Sequence, residues 1–175
     1  GVMDGPIRLD LSTAALVASF KDQPADFAPG EKWAYNNSGY VLVGAVIEAV
    51  SGKSWHAHLT DSVLAPGGLK HTVFGADDAL IDGMARGYTV RDEHVAPAAF
   101  LSMTQPHTAG ALVSTVDDLH RWNRALHGGK LLSEGSYTAM ITPVGPAAEA
   151  KYGFGISRGT LRGHELLQHG GGIFG

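Results

Sequence analysis

Residues 27–40 read FAPGEKWAYNNSGY, and the interpretation of the whole chain depends on this stretch. Within it, Tyr35 and Asn37 place a phenol and an amide two positions apart, directly before an apolar run. On an extended segment, side chains two positions apart project to the same side. One can then take part in proton transfer while the other positions a substrate carbonyl. A packed tyrosine beside an N-capping asparagine is the other interpretation, and the residues alone favour it.

The stretch leads into an apolar helix that is predicted to cover residues 39–50. Asn37 or Ser38 is predicted to cap the first turn of this helix. Gly52 is predicted to end it, because glycine readily adopts the left-handed conformation found after many helices. The helix is apolar almost all round, which predicts a central and buried position.

Further helices are predicted on both sides of this one, with strands mainly near the end of the chain. The predicted helices cover residues 13–20, 55–64, 116–126 and 133–141. Residues 70–106 show little periodicity, and one or two short strands are predicted there, one of them at residues 86–90. Residues 152–157 and 164–169 are predicted to form a hairpin around Gly159 and Gly163. Helices followed by strands predict an α+β protein.

The composition of the 175 residues indicates a globular protein and excludes several classes of function. Hydrophobic residues make up 44% of the chain, which is too many for a disordered segment. The formal charge of −4 is small and no basic stripe is present, so no nucleic-acid partner is predicted. Without cysteine there is neither a disulfide nor a thiol nucleophile. The longest apolar run, residues 40–50, is about half as long as a membrane span, so no span is predicted.

Nine histidines raise the question of a metal site, and none is predicted. Residues 164–169, His-Glu-Leu-Leu-Gln-His, are similar to the zinc-protease motif His-Glu-x-x-His, but the two histidines are five positions apart instead of four. On a strand, this spacing places the two rings on opposite faces. Neither a metal nor any other cofactor is therefore predicted.

Residues 155–159 match the G-x-S-x-G pattern of the α/β-hydrolase nucleophile elbow, with Ser157 at its centre. Residues 169–172, His-Gly-Gly-Gly, are similar to the oxyanion loop of lipases and esterases. An elbow requires a helix after the serine, whereas residues 159–163 predict a turn into a strand. The oxyanion loop also follows the serine here instead of preceding it. An α/β-hydrolase esterase that uses Ser157 is therefore kept only as an alternative.

Several motifs, taken in order, resemble those of the serine β-lactamase family, which includes class C β-lactamases, D-alanyl-D-alanine carboxypeptidases and related family VIII-type esterases. Tyr35 and Asn37 match its Tyr-x-Asn motif. Residues 169–171, His-Gly-Gly, are similar to the His-x-Gly variant of its Lys-Thr-Gly motif. Residues 109–119 and 152–155 lie between them in family order.

The resemblance implies a β-lactamase/transpeptidase-like α+β fold that this chain contains only in part. Residues 1–148 are expected to form the mainly helical region that carries the Tyr-x-Asn motif. Residues 149–175 are expected to form a hairpin of the incomplete antiparallel sheet, ending in the His-Gly-Gly motif. Both parts belong to one incomplete domain in this interpretation.

The resemblance also implies a role for each motif residue. In the family, the serine of a Ser-x-x-Lys motif attacks a β-lactam, amide or ester carbonyl and forms an acyl-enzyme. Tyr35 is expected to carry protons to and from that serine, and Asn37 to hydrogen-bond the lysine and the substrate amide. His169 is expected to replace the cation of the third motif. The glycines expected to bind the substrate, with the Gly172 N–H as an oxyanion donor, are Gly170, Gly171 and Gly172.

No Ser-x-x-Lys motif occurs in the 175 residues. Residues 19–21 and 51–53 come near it, but each has the lysine one position too early. A free tyrosine is only about 0.1% phenolate at pH 7, so Tyr35 alone is a poor base. We therefore expect the motif upstream, in a parent serine hydrolase, and expect this polypeptide alone to be inactive. A non-catalytic relative that serves in binding or assembly is the second hypothesis.

His169 stands where typical β-lactamases have a lysine. A free histidine has a pKa of about 6.5 and is mostly neutral at pH 7, so it anchors a carboxylate less firmly than lysine does. This favours an esterase or peptidase with a small-molecule or peptide substrate over a β-lactamase. The edge of the C-terminal hairpin is predicted to be exposed, which favours a homodimer through that edge. The sequence leaves periplasm, secretion and cytoplasm open as compartments.

Overall fold

The computed structural model describes residues 7–76 and 78–173, and its helices precede its longest hairpin. The α-helices are α1 (Thr13–Phe20), α2 (Asn37–Ser51), α3 (Trp55–Leu59), α4 (Ala65–Gly67), α5 (Val116–His127) and α6 (Glu134–Ile141). A π-helical turn, Thr60–Leu64, joins α3 to α4. Two 3-10 turns cover His107–Ala109 and Gly145–Ala148.

Six short strands form three separate two-stranded antiparallel sheets within the described residues. The pairs are β1 (Val73–Phe74) with β4 (Leu112–Val113), β2 (Tyr88–Arg91) with β3 (His94–Pro97), and β5 (Ser157–Leu161) with β6 (His164–Gln168). This mixture of helices and small antiparallel sheets confirms the predicted α+β class. The short strand expected near residues 86–90 is β2, and residues 70–106 contain three strands, β1, β2 and β3, where one or two were expected.

The C-terminal hairpin is present, but its first strand differs from the prediction. The strand begins at Ser157, and Tyr152 makes only an isolated bridge to that residue. The chain between them turns through Gly155, whose φ of 73° does not fit a regular strand. The hairpin turn itself consists of Arg162 and Gly163, both with positive φ, as the twist of a two-residue hairpin requires.

The cap of α2 lies one residue earlier than predicted. Asn36 has an extended backbone, and its side-chain oxygen accepts a hydrogen bond of 3.0 Å from the Gly39 N–H. Asn37 is therefore the first helical residue, and the prediction that Asn37 or Ser38 is the cap was wrong. Gly52 ends the helix in the left-handed conformation, as predicted.

Only one face of α2 is buried in the part of the chain that the structure describes. Val41 and Gly44 are buried, where α1 and the His107–Ala109 turn pack on the helix. The prediction of an all-round buried helix was therefore wrong, because the opposite face has no cover among these residues. The exposed apolar side chains on α2 are Leu42, Val43, Val46 and Val50. None of the described helices has the length and apolar character needed to cross a membrane.

The position of α2 is fixed by a close crossing with the His107–Ala109 turn. A Cβ atom on Gly44 would lie 2.6 Å from His107 Cε1 and 2.6 Å from Thr108 Oγ1, so the crossing requires glycine. Thr108 Oγ1 donates a hydrogen bond of 2.6 Å to the Tyr40 carbonyl. His107 Nε2 lies 3.1 Å from Thr13 Oγ1 in α1. The crossing thus connects α1 and α2 to the same turn.

A buried carboxylate joins α5 to the loop before β1. Asp118 is fully buried, and its oxygens accept hydrogen bonds from the His71 N–H at 2.6 Å, Thr72 Oγ1 at 3.0 Å and Arg121 Nη1 at 2.8 Å. Burial alone raises the pKa of Asp118, but these bonds and one from the Lys70 N–H outweigh it and lower the pKa to about 2. Asp118 is therefore ionised at neutral pH and serves as a structural anchor.

Candidate active site

Two ring side chains predicted to belong to the site, Tyr35 and His169, lie close together although they are far apart in the sequence. The ring centroids of Tyr35 and His169 lie 5.9 Å apart, and the ring planes are inclined by 39°. Tyr35 is 52% exposed and His169 is also exposed, so solvent reaches both rings. A molecule bound at this surface can therefore contact the two side chains at once.

Asn37 lies beside the glycines that follow His169. Asn37 and Gly172 line the same cavity of about 90 Å³, at the N-terminal end of α2. The rest of its lining consists of Val41, Gln105, Pro106, Ala109 and Ile173. Because Asn37 is helical, it does not share an extended segment with Tyr35, and the same-side argument from the sequence does not apply. Asn37 instead lies near the end of the third motif because it lines the same cavity as Gly172.

The three glycines after His169 border open space. A Cβ atom on Gly170, Gly171 or Gly172 would meet no other heavy atom within 4 Å. All three are exposed and lie beyond the end of β6. Packing within the described residues therefore does not require glycine at these positions.

Tyr152 lies at the centre of a ring cluster formed by Trp33, Tyr35, Tyr152 and His169, and no role was predicted for it from the sequence. Its ring centroid is 5.3 Å from that of Trp33, 6.1 Å from that of Tyr35 and 5.9 Å from that of His169. Tyr152 is buried with 9% of its surface exposed, in contrast to Tyr35. Its position in a glycine-rich stretch that interrupts the strand pattern was the available signal.

Hydrogen bonds connect Tyr152 to the third motif. Tyr152 Oη lies 2.8 Å from His169 Nε2, and His169 Nδ1 lies 2.5 Å from the Gly170 carbonyl oxygen. Both ring nitrogens of His169 therefore have a protein partner. The ring is oriented by these two contacts even though it is exposed.

Tyr152 and the nearby Tyr40 both have a pKa above that of a free tyrosine. Burial is the main cause that raises the pKa of Tyr152 to about 12, and the nearby Tyr40 and Tyr35 add to it. Burial also raises the pKa of Tyr40, with a further contribution from Tyr35. At neutral pH, Tyr152 is therefore a hydrogen-bond donor and a poor base.

The competing sites from the sequence analysis have a different environment. Ser157 is the first residue of β5, and the segment after it is a strand and a tight turn instead of the helix of a nucleophile elbow. His164 and His169 lie at the start and just beyond the end of β6. Among residues 7–76 and 78–173, no three His, Asp or Glu side chains form a group that could hold a metal ion.

Comparison with known proteins gives one family. A protein-family model described as Beta-lactamase matches residues 2–175. The chain is 25% identical over 151 residues to a D-aminopeptidase of Gluconobacter oxydans, and the match covers 85% of this chain and 29% of that protein.

Solved structures agree with this family and show the same fold. A D-stereospecific amidohydrolase from Streptomyces sp. superposes with a TM-score of 0.82 at 31% identity, over 94% of this chain and 51% of that one. A D-amino acid amidase from Ochrobactrum anthropi superposes with a TM-score of 0.81 at 26% identity, over 94% of this chain and 51% of that one. The chain thus spans about half the length of these structures, and the similarity confirms the predicted β-lactamase/transpeptidase-like fold.

Proposed function

Because this chain belongs to the beta-lactamase family, we propose that it forms part of a serine hydrolase that cleaves an amide or ester bond through an acyl-enzyme. The observation that carries the proposal is the 5.9 Å approach of the Tyr35 and His169 rings at an exposed surface. Asn37 and Gly172 extend this surface into a small cavity. These contacts support the assignment of the Tyr-x-Asn and third motifs to one site.

In the proposed reaction, a serine hydroxyl attacks the substrate carbonyl as the C–O bond forms, and its proton passes to the Tyr35 phenolate, which the lysine of the Ser-x-x-Lys motif stabilises. Tyr35 passes a proton to the leaving amine or alcohol when the scissile bond breaks. The Gly172 N–H stabilises the negative oxygen of the tetrahedral intermediate, a contribution that is typically worth about 10²–10³ in rate for one donor. Water then hydrolyses the acyl-enzyme ester and regenerates the serine.

The nucleophile of this reaction is proposed to lie outside the 175 residues, since they contain no Ser-x-x-Lys motif. The match to the D-aminopeptidase, which covers 29% of that protein, leaves room for such a segment. We accordingly expect the 175-residue polypeptide alone to form no acyl-enzyme.

Among substrates, we propose an amide or peptide of a D-amino acid, or an ester, ahead of a β-lactam. Two solved relatives are named for D-configured amides or D-stereospecific amide hydrolysis. In this chain His169 replaces the third-motif lysine, and both its ring nitrogens already have protein partners. The site therefore offers a β-lactam carboxylate a weaker anchor than a lysine ammonium would.

Intact-mass labelling with a fluorophosphonate tests the nucleophile assignment. The 175-residue chain is compared with a version extended upstream in its own reading frame, and Ser157→Ala is made in both. We expect one adduct on the extended chain only, unaffected by Ser157→Ala. Labelling of the short chain that disappears in Ser157→Ala would instead support the α/β-hydrolase alternative. Absence of labelling in every form would favour a non-catalytic relative.

The substrate class is tested on the extended protein by its rates with D-phenylalanine amide, L-phenylalanine amide and a penicillin. We expect faster hydrolysis of the D-amide than of the other two, and a large loss of that activity in Tyr35→Phe. The matched control is Tyr137→Phe, which removes a hydroxyl that pairs with His127 away from the ring cluster. Faster hydrolysis of the penicillin would overturn the substrate assignment.

We also propose that the β5–β6 hairpin pairs with a second copy of the chain. Within the described residues β5 also meets Tyr152 in an isolated bridge at Ser157, whereas β6 pairs only with β5, so the outer edge of β6 is free. Unpaired edges recruit further strands, and a symmetric dimer is the simplest closed arrangement. Light scattering at high protein concentration should give twice the monomer mass, and a monomer under these conditions would contradict the proposal.

A further inference from the structure

Tyr152 is the best-anchored side chain in the ring cluster. Its backbone N–H bonds to the Ala147 carbonyl at 3.2 Å, and the next residue, Gly153, bonds to the Ile156 carbonyl at 2.8 Å. The side chain is buried against the ring of Trp33. Tyr152 is therefore fixed by its backbone bonds and by burial of its ring, whereas its partner is exposed.

Its partner, His169, is exposed, and its two contacts determine where its hydrogen lies. His169 Nδ1 is 2.5 Å from the Gly170 carbonyl oxygen, which can only accept, so Nδ1 carries hydrogen. In a neutral imidazole, Nε2 then has the lone pair. Tyr152 Oη, 2.8 Å from Nε2, must therefore donate to it. This tautomer is the one that satisfies both contacts of the neutral ring.

We propose that Tyr152 is a positioning residue that holds neutral His169 in its Nδ1–H tautomer and, through the Gly170 carbonyl, orients the backbone that leads to Gly172. Only the link to catalysis rests on the proposed function, because there the Gly172 N–H is the oxyanion donor. In this arrangement neutral His169 offers no free nitrogen to a ligand. His169 then connects Tyr152 to the glycine segment through its two hydrogen bonds. Tyr35 is the ring of the pair that contacts the substrate.

The competing arrangement follows from a second phenol near Tyr152. Tyr40 is close enough to the Tyr152 hydroxyl to help raise the pKa of Tyr152. If Tyr152 gave its single hydrogen to Tyr40, neutral His169 would have to donate from Nε2, and its Nδ1 could not bond to the Gly170 carbonyl. The two arrangements thus differ in the tautomer of His169, which is a measurable property.

The test is a long-range ¹H–¹⁵N spectrum of the 175-residue chain labelled with ¹⁵N-histidine, recorded at mildly alkaline pH. The His169 signals are assigned by their loss in His169→Gln. We expect wild-type His169 to be the Nδ1–H tautomer and Tyr152→Phe to give a mixture with Nε2–H. Tyr137→Phe is the control, because it removes the partner of His127 Nδ1 and should leave His169 unchanged.

An Nε2–H tautomer in the wild type would overturn the proposal without reference to any variant, so a folding defect in Tyr152→Phe does not remove the test. An unchanged Nδ1–H tautomer in folded Tyr152→Phe would overturn it as well, since the Gly170 carbonyl would then suffice. The spectrum does not depend on turnover. Failure of the fluorophosphonate labelling would therefore contradict the hydrolase proposal and leave the tautomer assignment standing.

Discussion

Tyr152 Oη lies 2.8 Å from His169 Nε2, so a residue just before the C-terminal hairpin is hydrogen-bonded to the residue just after it. This hydrogen bond connects the two side chains at the end of the β5–β6 hairpin opposite its turn. Because Tyr152 also contacts Trp33 and Tyr35, the same residue connects the hairpin to the segment that precedes α2. Tyr152 therefore links His169 of the third motif to Tyr35 of the Tyr-x-Asn motif.

The first prediction concerns the titration of this phenol. Burial raises the pKa of Tyr152 from 10.0 to about 12, so the folded state binds its proton more tightly than the unfolded state does. The resulting stability is present below pH 10 and is lost as the pH rises toward 12. Phenolate absorbance should show a last step near pH 12 that Tyr152→Phe lacks. A last step that persists in the folded variant would contradict this assignment.

The second prediction separates the two adjacent asparagines at the start of α2. Asn36→Ala removes the cap of the helix and should lower the free energy of unfolding by about 1 kcal/mol. Asn37→Ala leaves the cap intact and should change stability by less than about 0.5 kcal/mol. Urea unfolding followed by circular dichroism measures both. The reverse order of effects would show that Asn37 is the cap after all.

The third prediction concerns the crossing at Gly44. A methyl group at this position would lie 2.6 Å from His107 Cε1 and Thr108 Oγ1, so Gly44→Ala should destabilise the protein by about 1–3 kcal/mol. Gly39→Ala, in the same helix, meets nothing within 4 Å and should stabilise by up to about 1 kcal/mol. Thermal or urea unfolding compares the pair. Equal effects of the two substitutions would exclude the close contact as the cause.

The fourth prediction concerns acid stability. The pKa of Asp118 is about 2 in the folded state and 3.8 in its model-peptide form, so the unfolded state binds more protons between these values. The contribution of Asp118 is therefore present above pH 4 and is lost as the pH falls through about 2. Urea unfolding at a series of pH values should show a smaller acid-induced loss for Asp118→Asn than for the wild type. Parallel pH profiles would indicate that other carboxyl groups account for that loss.

The sequence was sufficient to predict the fold class, because capping residues, apolar periodicity and late strands are local signals. It was also sufficient to select Tyr35 and His169, which stand in motifs that resemble a known family. It misplaced the cap of α2, since Asn36 and Asn37 are chemically identical and only the backbone angles distinguish them. Their assignment required the coordinates.

Two features depend on contacts between distant segments and could not be read from local patterns. The apolar pattern of α2 indicated burial, but what covers a face depends on the other elements present, and residues such as Val46 and Val50 are exposed. Tyr152 was recognised as part of a motif, yet its role depends on His169, Trp33 and Tyr35, which come from two separate parts of the chain. Such convergence is a property of the tertiary structure.

The contact between Tyr152 and Trp33 also has a kinetic consequence. It joins two residues that are far apart in the sequence. Closing the loop between them costs conformational entropy before the contact can stabilise the fold. The helices form from near neighbours and need no such closure. The site should thus assemble late in folding, after α2 and α5 have formed, so that partly folded chains have helical structure but no site.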